Sequence, residues 1–265
     1  MIALFLVSGA LAWGQTGHRA VGLIAERHAA PATLRALRAL MGDESLARAA
    51  TWPDEKRSDA VWTAANPDAW RDHFINAEPD GTLAASQDAQ PRNIWTALER
   101  WEAVLADPGQ PADARRDAVR WLAHLVGDAH QPLHAGRESD RGGNTVDVRW
   151  FGTATNLHAL WDEHLIAHTA LSYTELVAFI DHPSPAEVAA WRAGTAGDWL
   201  AESRALLPAL YEVGEPANPA YAYHFAHWPT VERRLVQAGV RLAATLDRAL
   251  GRRAAVSAPR RPAAR

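Results

Sequence analysis

Cysteine is absent from the 265-residue chain. Disulfide bonds and thiolate metal ligands are therefore excluded, and any metal site must use His, Asp, Glu or main-chain groups. Long apolar runs are also missing: a helix that spans a bilayer needs about 20 apolar residues, and the apolar N-terminal stretch covers residues 1–12. With 48% hydrophobic and 22% charged residues, the composition is that of an ordinary globular protein with one sizeable core.

The first twelve residues predict an export signal. Met1 to Ala12 are uncharged and apolar and end in Ala10-Leu11-Ala12. This matches the apolar region and the A-x-A cleavage site of a secretory signal peptide, although the positive n-region is missing. A buried N-terminal strand or helix is the alternative. We therefore expect a signal peptide at residues 1–12, cleavage before Trp13, and an exported protein, periplasmic or secreted.

The opposite end of the chain is basic. Residues 252–265 hold five Arg, two Pro and no acidic residue, which predicts a flexible tail without a core. The formal net charge is −4 for the whole chain and −9 without those five Arg. An acidic body is unlike a conventional nucleic-acid-binding protein, but it fits carboxylates that surround several divalent cations. No linker interrupts residues 13–251, which are expected to form one domain.

The most informative segment runs from His124 to His134, with the sequence His-Leu-Val-Gly-Asp-Ala-His-Gln-Pro-Leu-His. His124 and Asp128 are four residues apart in a helical pattern and so share one helix face. Pro132 interrupts the helix, so His134 can serve a neighbouring centre. A single His on an apolar helix face is more often a core or surface residue than a ligand. Three His and one Asp in eleven residues favour zinc, which accepts nitrogen and oxygen ligands.

The hydrophobic periodicity predicts a mainly α, single-domain protein with at most a short β-hairpin. The expected helices are one that follows His18, then Pro31–Leu40, Asn93–Ala106, Asp113–Gln131, Asn156–His164, Ser184–Leu210 and Tyr221–Leu250. Alternating residues predict one strand at Thr145–Phe151, and a composition of Gly, Ser, Asp and Ala predicts a loop at Pro79–Gln90.

Other segments offer partners for the central one. His158 and Asp162 repeat its four-residue His/Asp spacing beyond a Gly-Gly-Asn loop. Asp54 lies at an early helix position, where a carboxylate is also favoured by the helix dipole. The complete candidate ligand set is Trp13, His18, Asp54, His73, His124, Asp128, His134, His158 and Asp162. Trp13 belongs to it because signal cleavage would give this residue a free α-amino group.

This ordered set resembles the S1/P1 family of single-strand-specific zinc nucleases, over nearly the whole chain from Trp13 onward. The motifs that carry the resemblance are Trp-Gly-x-x-Gly-His from Trp13, His-x3-Asp-x-His-Gln-Pro-x-His from His124, Gly-Gly-Asn from Gly142 and Asn-Leu-His-x-x-Trp-Asp from Asn156. The resemblance implies a helical fold of the phospholipase C/P1 nuclease type with three zinc ions per chain. The absence of cysteine fits a bacterial member, since the secreted eukaryotic members carry disulfides.

The family's ligand pattern can be carried over to this sequence residue by residue. It implies one zinc held by Asp54, His73, His124 and Asp128. A second would be held by the α-amino and carbonyl groups of Trp13, with His18 and Asp128, so that Asp128 bridges the pair. The third would be held by His134, His158 and Asp162.

The resemblance also implies the reaction and its other residues. It implies endonucleolytic hydrolysis of single-stranded DNA and RNA to products with 5′-phosphates, by a water activated between two zinc ions, and it allows 3′-nucleotidase activity. The implied catalytic residues are Asp54, Asp128, Arg57 near the scissile phosphate, and Asn144, which orients phosphate or water. Phe74 would stack an unpaired base, and Asn76 stands where some members carry an Asp that contacts the base. The expected protein is a monomer that acts on nucleic acids and nucleotides, without a stable protein partner or membrane contact.

Two alternatives remain open. A bacterial zinc-dependent phospholipase C has a similar fold and N-terminal Trp ligand, but its last ligand is typically Glu, where this chain has Asp162. A zinc-storage or structural metal protein would more often have closed sites with Cys. Within the central motif, His130 and Gln131 are expected either to support the ligands or to be structural. Five further histidines are expected to be structural or surface residues: His28, His168, His182, His224 and His227.

Overall fold

The computed structural model describes residues 13–214 and 217–256, the last five of them by their main chain alone. The predicted signal peptide, residues 1–12, lies outside the described residues. The helices of the N-terminal half are α1 (Gly14–His28), α2 (Pro31–Met41), α3 (Leu46–Ala49), α4 (Trp52–Lys56), α5 (Ala60–Ala65), a 3-10 helix (Ala69–His73), α6 (Leu83–Ala89) and α7 (Ile94–Ala106). They are followed by α8 (Ala112–His130) and a second 3-10 helix (Pro132–Ala135).

The C-terminal half begins with a two-stranded hairpin. Its strands are β1 (Asp147–Trp150) and β2 (Thr153–Asn156), which pair antiparallel with Val148 opposite Thr155. The helices that follow are α9 (Leu157–Ala159), a π-helical turn (Leu160–His164), α10 (Leu165–Ala167), α11 (Tyr173–Ile180), α12 (Pro185–Trp191), α13 (Ala196–Ala205), α14 (Leu207–Leu210) and α15 (Tyr221–Val256). The prediction of a mainly α fold with a short hairpin is confirmed.

The centre of the fold is formed by α1, α7, α8 and α15. Helix α8 packs against α7 and α15, and α15 also packs along α1. The second half of α8 is its most enclosed part, since every residue from Trp121 to His130 is buried. Apolar residues such as Leu122 and Leu125 fill the contacts with neighbouring helices, and this packing carries polar side chains of the same helix into the interior.

Helix α8 ends where the sequence predicts an interruption. Gln131 follows the helix in an extended conformation (φ −81°, ψ 115°), and Pro132 then begins the 3-10 helix. The ring of Pro132 prevents continuation of α8 because it removes a main-chain donor and clashes with the preceding turn. His134 therefore lies on a separate element from His124, as expected.

Two predicted segments have a different secondary structure from the one expected. The predicted loop at Pro79–Gln90 is wrong over seven residues, because α6 forms there with the Thr82 hydroxyl accepting from the main-chain N–H of Ala85 at 3.1 Å. The single helix predicted over Ser184–Leu210 is three helices, α12, α13 and α14. Gly194, at φ +93°, turns the chain between the first two in a conformation that favours glycine.

The last helix is longer than expected at its C-terminal end. Helix α15 runs to Val256, so its main chain includes the first five residues of the tail predicted from Arg252. Among the described helices, none is both long and apolar enough to cross a membrane.

Candidate metal centre

Eight predicted ligands come together in three groups, two of which share His124, and in each group one nitrogen or oxygen atom per residue lies within 4.8 Å of the others. We call these the Asp54 group (Asp54, His73, His124), the His18 group (His18, His124, Asp128) and the His158 group (His134, His158, Asp162). They are assembled from α1, α4, α8, both 3-10 helices and the segment that begins with α9. All members are buried except Asp54, whose side chain is 11% exposed.

Asp128 joins the first two groups through its two carboxylate oxygens. Its Oδ2 lies 2.9 Å from His73 Nδ1 and 3.2 Å from His124 Nε2, whereas its Oδ1 lies 3.3 Å from His18 Nε2. His124 Nε2 is also 3.9 Å from Asp54 Oδ1. The two oxygens of one carboxylate therefore face different predicted ligands, an arrangement in which one residue could contact two ions.

Main-chain carbonyl groups orient three of the histidine rings. His124 Nδ1 donates to the carbonyl of Ala50 at 2.8 Å, because a carbonyl oxygen can act only as an acceptor. In the same way His134 Nδ1 donates to His73 at 2.6 Å and His158 Nδ1 to Gly142 at 2.7 Å. In the neutral form of each ring the proton is therefore on Nδ1. Nε2 then keeps a lone pair that faces the other residues of its group.

The His158 group has further support from the chain around it. Asp162 Oδ2 lies 3.1 Å from His158 Nε2, and Asp162 Oδ1 accepts from the side-chain amide of Gln131. Gly142 has a φ of +65°, and a Cβ at this position would collide with the carbonyl oxygen of Leu133. A glycine is needed here for the main chain to present its carbonyl to His158.

Buried polar atoms without hydrogen-bond partners are concentrated in these groups. Within the described residues they include His18 Nδ1 and Nε2, Asp128 Oδ1, His134 Nε2, His158 Nε2 and Asp162 Oδ2. A buried polar atom that lacks a partner is costly, and these are imidazole nitrogens and carboxylate oxygens, the ligand atoms that zinc accepts. The residues therefore fit metal ions, and three groups correspond to the three ions expected.

Charge interactions in the metal-free protein point the same way. Burial alone would lower the pKa of His124, but the carboxylates of Asp128 and Asp54 raise it to about 9. His158 also has a raised pKa, because Asp162 outweighs its burial. The carboxylates thus attract positive charge into a buried site, and a cation that binds His124 Nε2 competes with a proton for that nitrogen.

Trp13 is anchored beside the His18 group. Its indole is buried and donates from Nε1 to the carbonyl of Gly127 at 2.9 Å, and its own carbonyl accepts from Gly17 N–H at 3.0 Å. Gly127 lies against both the Trp13 indole and the ring of His18. These contacts fix the main chain of Trp13 next to His18.

The other predicted site residues occupy the surroundings of the groups. Arg57 Nη1 lies 3.5 Å from Asp54 Oδ1, with 37% of its side chain exposed. Phe74 is half-buried and follows His73 directly, and Asn76 is buried with no hydrogen-bond partner for Oδ1 among the described residues. Asn144 donates from Nδ2 to the carbonyl of Arg141 at 2.9 Å.

Sequence reasoning missed the supports that lie far away in the chain. Asp72 is buried and forms ion pairs with Arg92 at 2.9 Å and Arg100 at 2.8 Å, which fix the 3-10 helix that carries His73. Trp121 packs edge-on against His73 with ring centroids 5.7 Å apart. No local pattern indicates these contacts, since each joins distant segments.

Of the two motif residues outside the ligand set, Gln131 contacts a predicted ligand, and the side chain of His130 contacts other residues. Gln131 holds Asp162, and His130 is fixed between the carbonyl of Val126 at 2.7 Å and the guanidinium of Arg241 at 2.9 Å. Burial, with Arg234 and Arg241 nearby, keeps the pKa of His130 well below its usual value, so the ring is neutral. The remaining histidines lie outside the three groups: His28, His164, His168, His182, His224 and His227.

Comparison with known proteins identifies relatives over most of the chain. The family model for S1/P1 Nuclease matches residues 13–251. Endonuclease 4 of Arabidopsis thaliana is 33% identical over 278 residues, which cover 92% of this chain and 91% of the relative. Nuclease P1 of Penicillium citrinum is 28% identical, covering 87% and 95%, and Nuclease S1 of Aspergillus oryzae is 31% identical, covering 63% and 58%.

Proposed function

The chain belongs to the S1/P1 nuclease family, and from this premise we propose that it hydrolyses single-stranded DNA and RNA at a centre of three zinc ions. The observation that carries the proposal is the assembly of His and Asp side chains in three groups, two of which hold buried nitrogen and oxygen atoms without hydrogen-bond partners. The reaction is endonucleolytic, and its products carry 5′-phosphates. Hydrolysis of 3′-nucleotides belongs to the same proposal, since the same phosphate site would serve it.

We assign the ligands as the family resemblance implies. Asp54, His73, His124 and Asp128 hold one zinc; Trp13, through its α-amino and carbonyl groups, holds a second with His18 and Asp128; His134, His158 and Asp162 hold the third. The distances from Asp128 to His73, His124 and His18 support its bridging role. The carbonyl groups that orient His124, His134 and His158 support the use of Nε2 in each case.

The zinc ions, when bound, supply positive charge to the phosphate and lower the pKa of the attacking water. Arg57 binds a nonbridging phosphate oxygen, which is supported by its place beside Asp54 and by its partly exposed guanidinium. Asp54, the least buried carboxylate of the three groups, orients the water. Asn144 orients the phosphate from the loop whose Gly143 carbonyl accepts from the main-chain N–H of His158.

Preference for single strands comes from base stacking in this proposal. Phe74 is half-buried next to His73, so a base stacked on its ring would lie close to the Asp54 group. A base can stack there when it is splayed out of a duplex, and stacking tolerates any base. The buried Asn76, with its free Oδ1, would contact the base edge and set any preference among bases.

We further propose that the protein is an exported monomer, periplasmic or secreted. The family match begins at Trp13, the residue that follows the predicted signal peptide, which supports removal of residues 1–12. The basic residues after Gly251 lie beyond the matched domain.

Parallel assays on denatured DNA, RNA, duplex DNA and phosphatidylcholine test the function. We expect hydrolysis of denatured DNA and RNA, a much lower rate on duplex DNA, no release of diacylglycerol, and loss of activity after chelation of zinc. Phosphatidylcholine hydrolysis without nuclease activity would instead identify a phospholipase C. Three bound zinc ions without any hydrolysis would favour a storage or structural protein.

A further inference from the structure

A pocket adjoins the candidate metal centre. It has a volume of ≈ 180 Å³ and is lined by residues of α4, α5 and the 3-10 helix at Ala69–His73, among them Arg57, Trp62, Asn66, Trp70 and His73. We call it the Trp70 pocket. Phe74, the stacking residue of the proposed function, does not line it.

Two residues connect the Trp70 pocket to the Asp54 group: His73 lines the pocket and is a member of the group, and Arg57 lines the pocket and contacts Asp54. His73 Nδ1 lies 3.0 Å from His124 Nε2, and Arg57 Nη1 lies 3.5 Å from Asp54 Oδ1. A phosphodiester bound at this group would therefore have the pocket directly beside it. A group attached to the phosphate through a sugar could enter the pocket while the phosphate stays on the metal ligands.

The walls of the pocket are aromatic and held in place. Trp62 packs against Trp121, with ring centroids 6.2 Å apart. Trp70 is held by the guanidinium of Arg71, 4.5 Å from its ring, and by Phe74, whose ring centroid is 5.7 Å away. Even so, 46% of Trp70 is exposed. These contacts limit the motion of the indole, and its exposed part offers an aromatic surface on which a planar ring can stack.

The volume of the pocket fits a single nucleobase. Pockets for complete drug-sized ligands have volumes of about 300–1,000 Å³, so ≈ 180 Å³ suits one planar ring system without its sugar and phosphate. Two of the lining residues, Thr63 and Asn66, have hydrogen-bonding side chains that match the polar rim of a nucleobase. Phe74 contacts Trp70 from outside the pocket, so the two aromatic residues are adjacent and distinct stacking positions.

We propose that the Trp70 pocket binds the nucleobase on the opposite side of the scissile phosphate from the base stacked on Phe74. This inference rests on the proposed function, since it presupposes a phosphodiester at the Asp54 group. The two bases that flank the cut would then be held apart, one on Phe74 and one in the pocket. A base-paired and stacked duplex cannot supply both, so the pocket adds to the selection for single strands.

The test uses a single-stranded hexanucleotide whose central linkage is the one cleavable phosphodiester, the other linkages being methylphosphonates. Two analogues each lack one base, on the 5′ or the 3′ side of that linkage. Trp70→Ala is expected to raise KM for the complete substrate about tenfold, the effect of one lost base stack, with kcat unchanged. With the analogue that lacks the base bound in the pocket, Trp70→Ala should no longer change KM. With the other analogue, Phe74→Ala should no longer change KM.

Controls separate a substrate site from a structural effect. Trp70→Phe keeps a stacking ring and should retain most of the affinity, and Phe179→Ala removes another exposed aromatic side chain, 67% exposed, and should leave KM unchanged. Zinc content should be the same in all variants.

Three results would overturn the pocket while leaving the proposed function intact: no change in KM for Trp70→Ala, an equal change on all three substrates, or effects of Trp70→Ala and Phe74→Ala that disappear with the same analogue. If the wild-type protein cleaves neither the hexanucleotide nor denatured DNA, the proposed function itself fails.

Discussion

Replacement of Asp128 by asparagine is expected to lower kcat by more than about 100-fold, because changes even to the outer partners of a metal ligand cost about 10–100-fold. Asp128 is fully buried, and its two oxygens face His73 and His124 on one side and His18 on the other. An amide carries no negative charge, so the repulsion between the two cations of the pair would no longer be offset. Zinc content is expected to fall from about three to about one per chain.

Asp162→Asn is the matched comparison for this prediction. It also removes one buried carboxylate four residues from a histidine, but Asp162 serves the His158 group alone. This variant should lose about one zinc and retain more activity than Asp128→Asn. Zinc analysis with kcat measurements on denatured DNA would check both variants, and equal losses in the two would contradict the bridging role of Asp128.

One added residue before Trp13 is expected to reduce kcat about 10–100-fold. An amide nitrogen inside a chain shares its lone pair with the carbonyl and is a poor zinc ligand, whereas a free amine is a good one. The indole hydrogen bond to Gly127 and the carbonyl hydrogen bond from Gly17 fix Trp13 next to His18. The nitrogen of Trp13 therefore cannot be replaced by that of a preceding residue.

The measurement compares protein that begins at Trp13 with protein that carries one alanine before it. The extended protein should bind about two zinc ions and the shorter one about three. A second preparation, in which a protease removes the added residue, should recover the lost zinc and activity. Equal zinc content and equal rates in the two proteins would show that Trp13 is not a terminal ligand.

Local spacing was sufficient to predict the parts of the centre that lie close together in the chain. The four-residue separation of His124 and Asp128 places both on one helix face, and Pro132 ends that helix before His134. The same spacing holds for His158 and Asp162, even though a π-helical turn intervenes. In each case the relative position of the two side chains depends on the main-chain dihedral angles of a few consecutive residues.

Contacts between distant segments could not be predicted in this way. The carbonyl groups of Ala50 and Gly142 that orient His124 and His158 carry no side-chain signature. Asp72 has the same residue type as many surface carboxylates, and its burial depends on Arg92 and Arg100, 20 and 28 residues away. The family motifs bring ligands from distant segments into one set, but they do not indicate how the chain supports them.

Helix α6 was missed for a different reason. Its seven residues contain one buried apolar side chain, Leu83, so they have no hydrophobic periodicity. The cap formed by Thr82 and the alanines of the segment favour a helix, yet the same residues are common in loops.

The most direct test of the account is an anomalous difference map, recorded at the zinc absorption edge from a crystal of protein that begins at Trp13. A trinuclear centre should give three peaks: one at the Asp54 group, one between Trp13, His18 and Asp128, and one at the His158 group. Asp128 should contact the first two ions with different oxygens. A single peak, or peaks away from these three groups, would contradict the trinuclear centre.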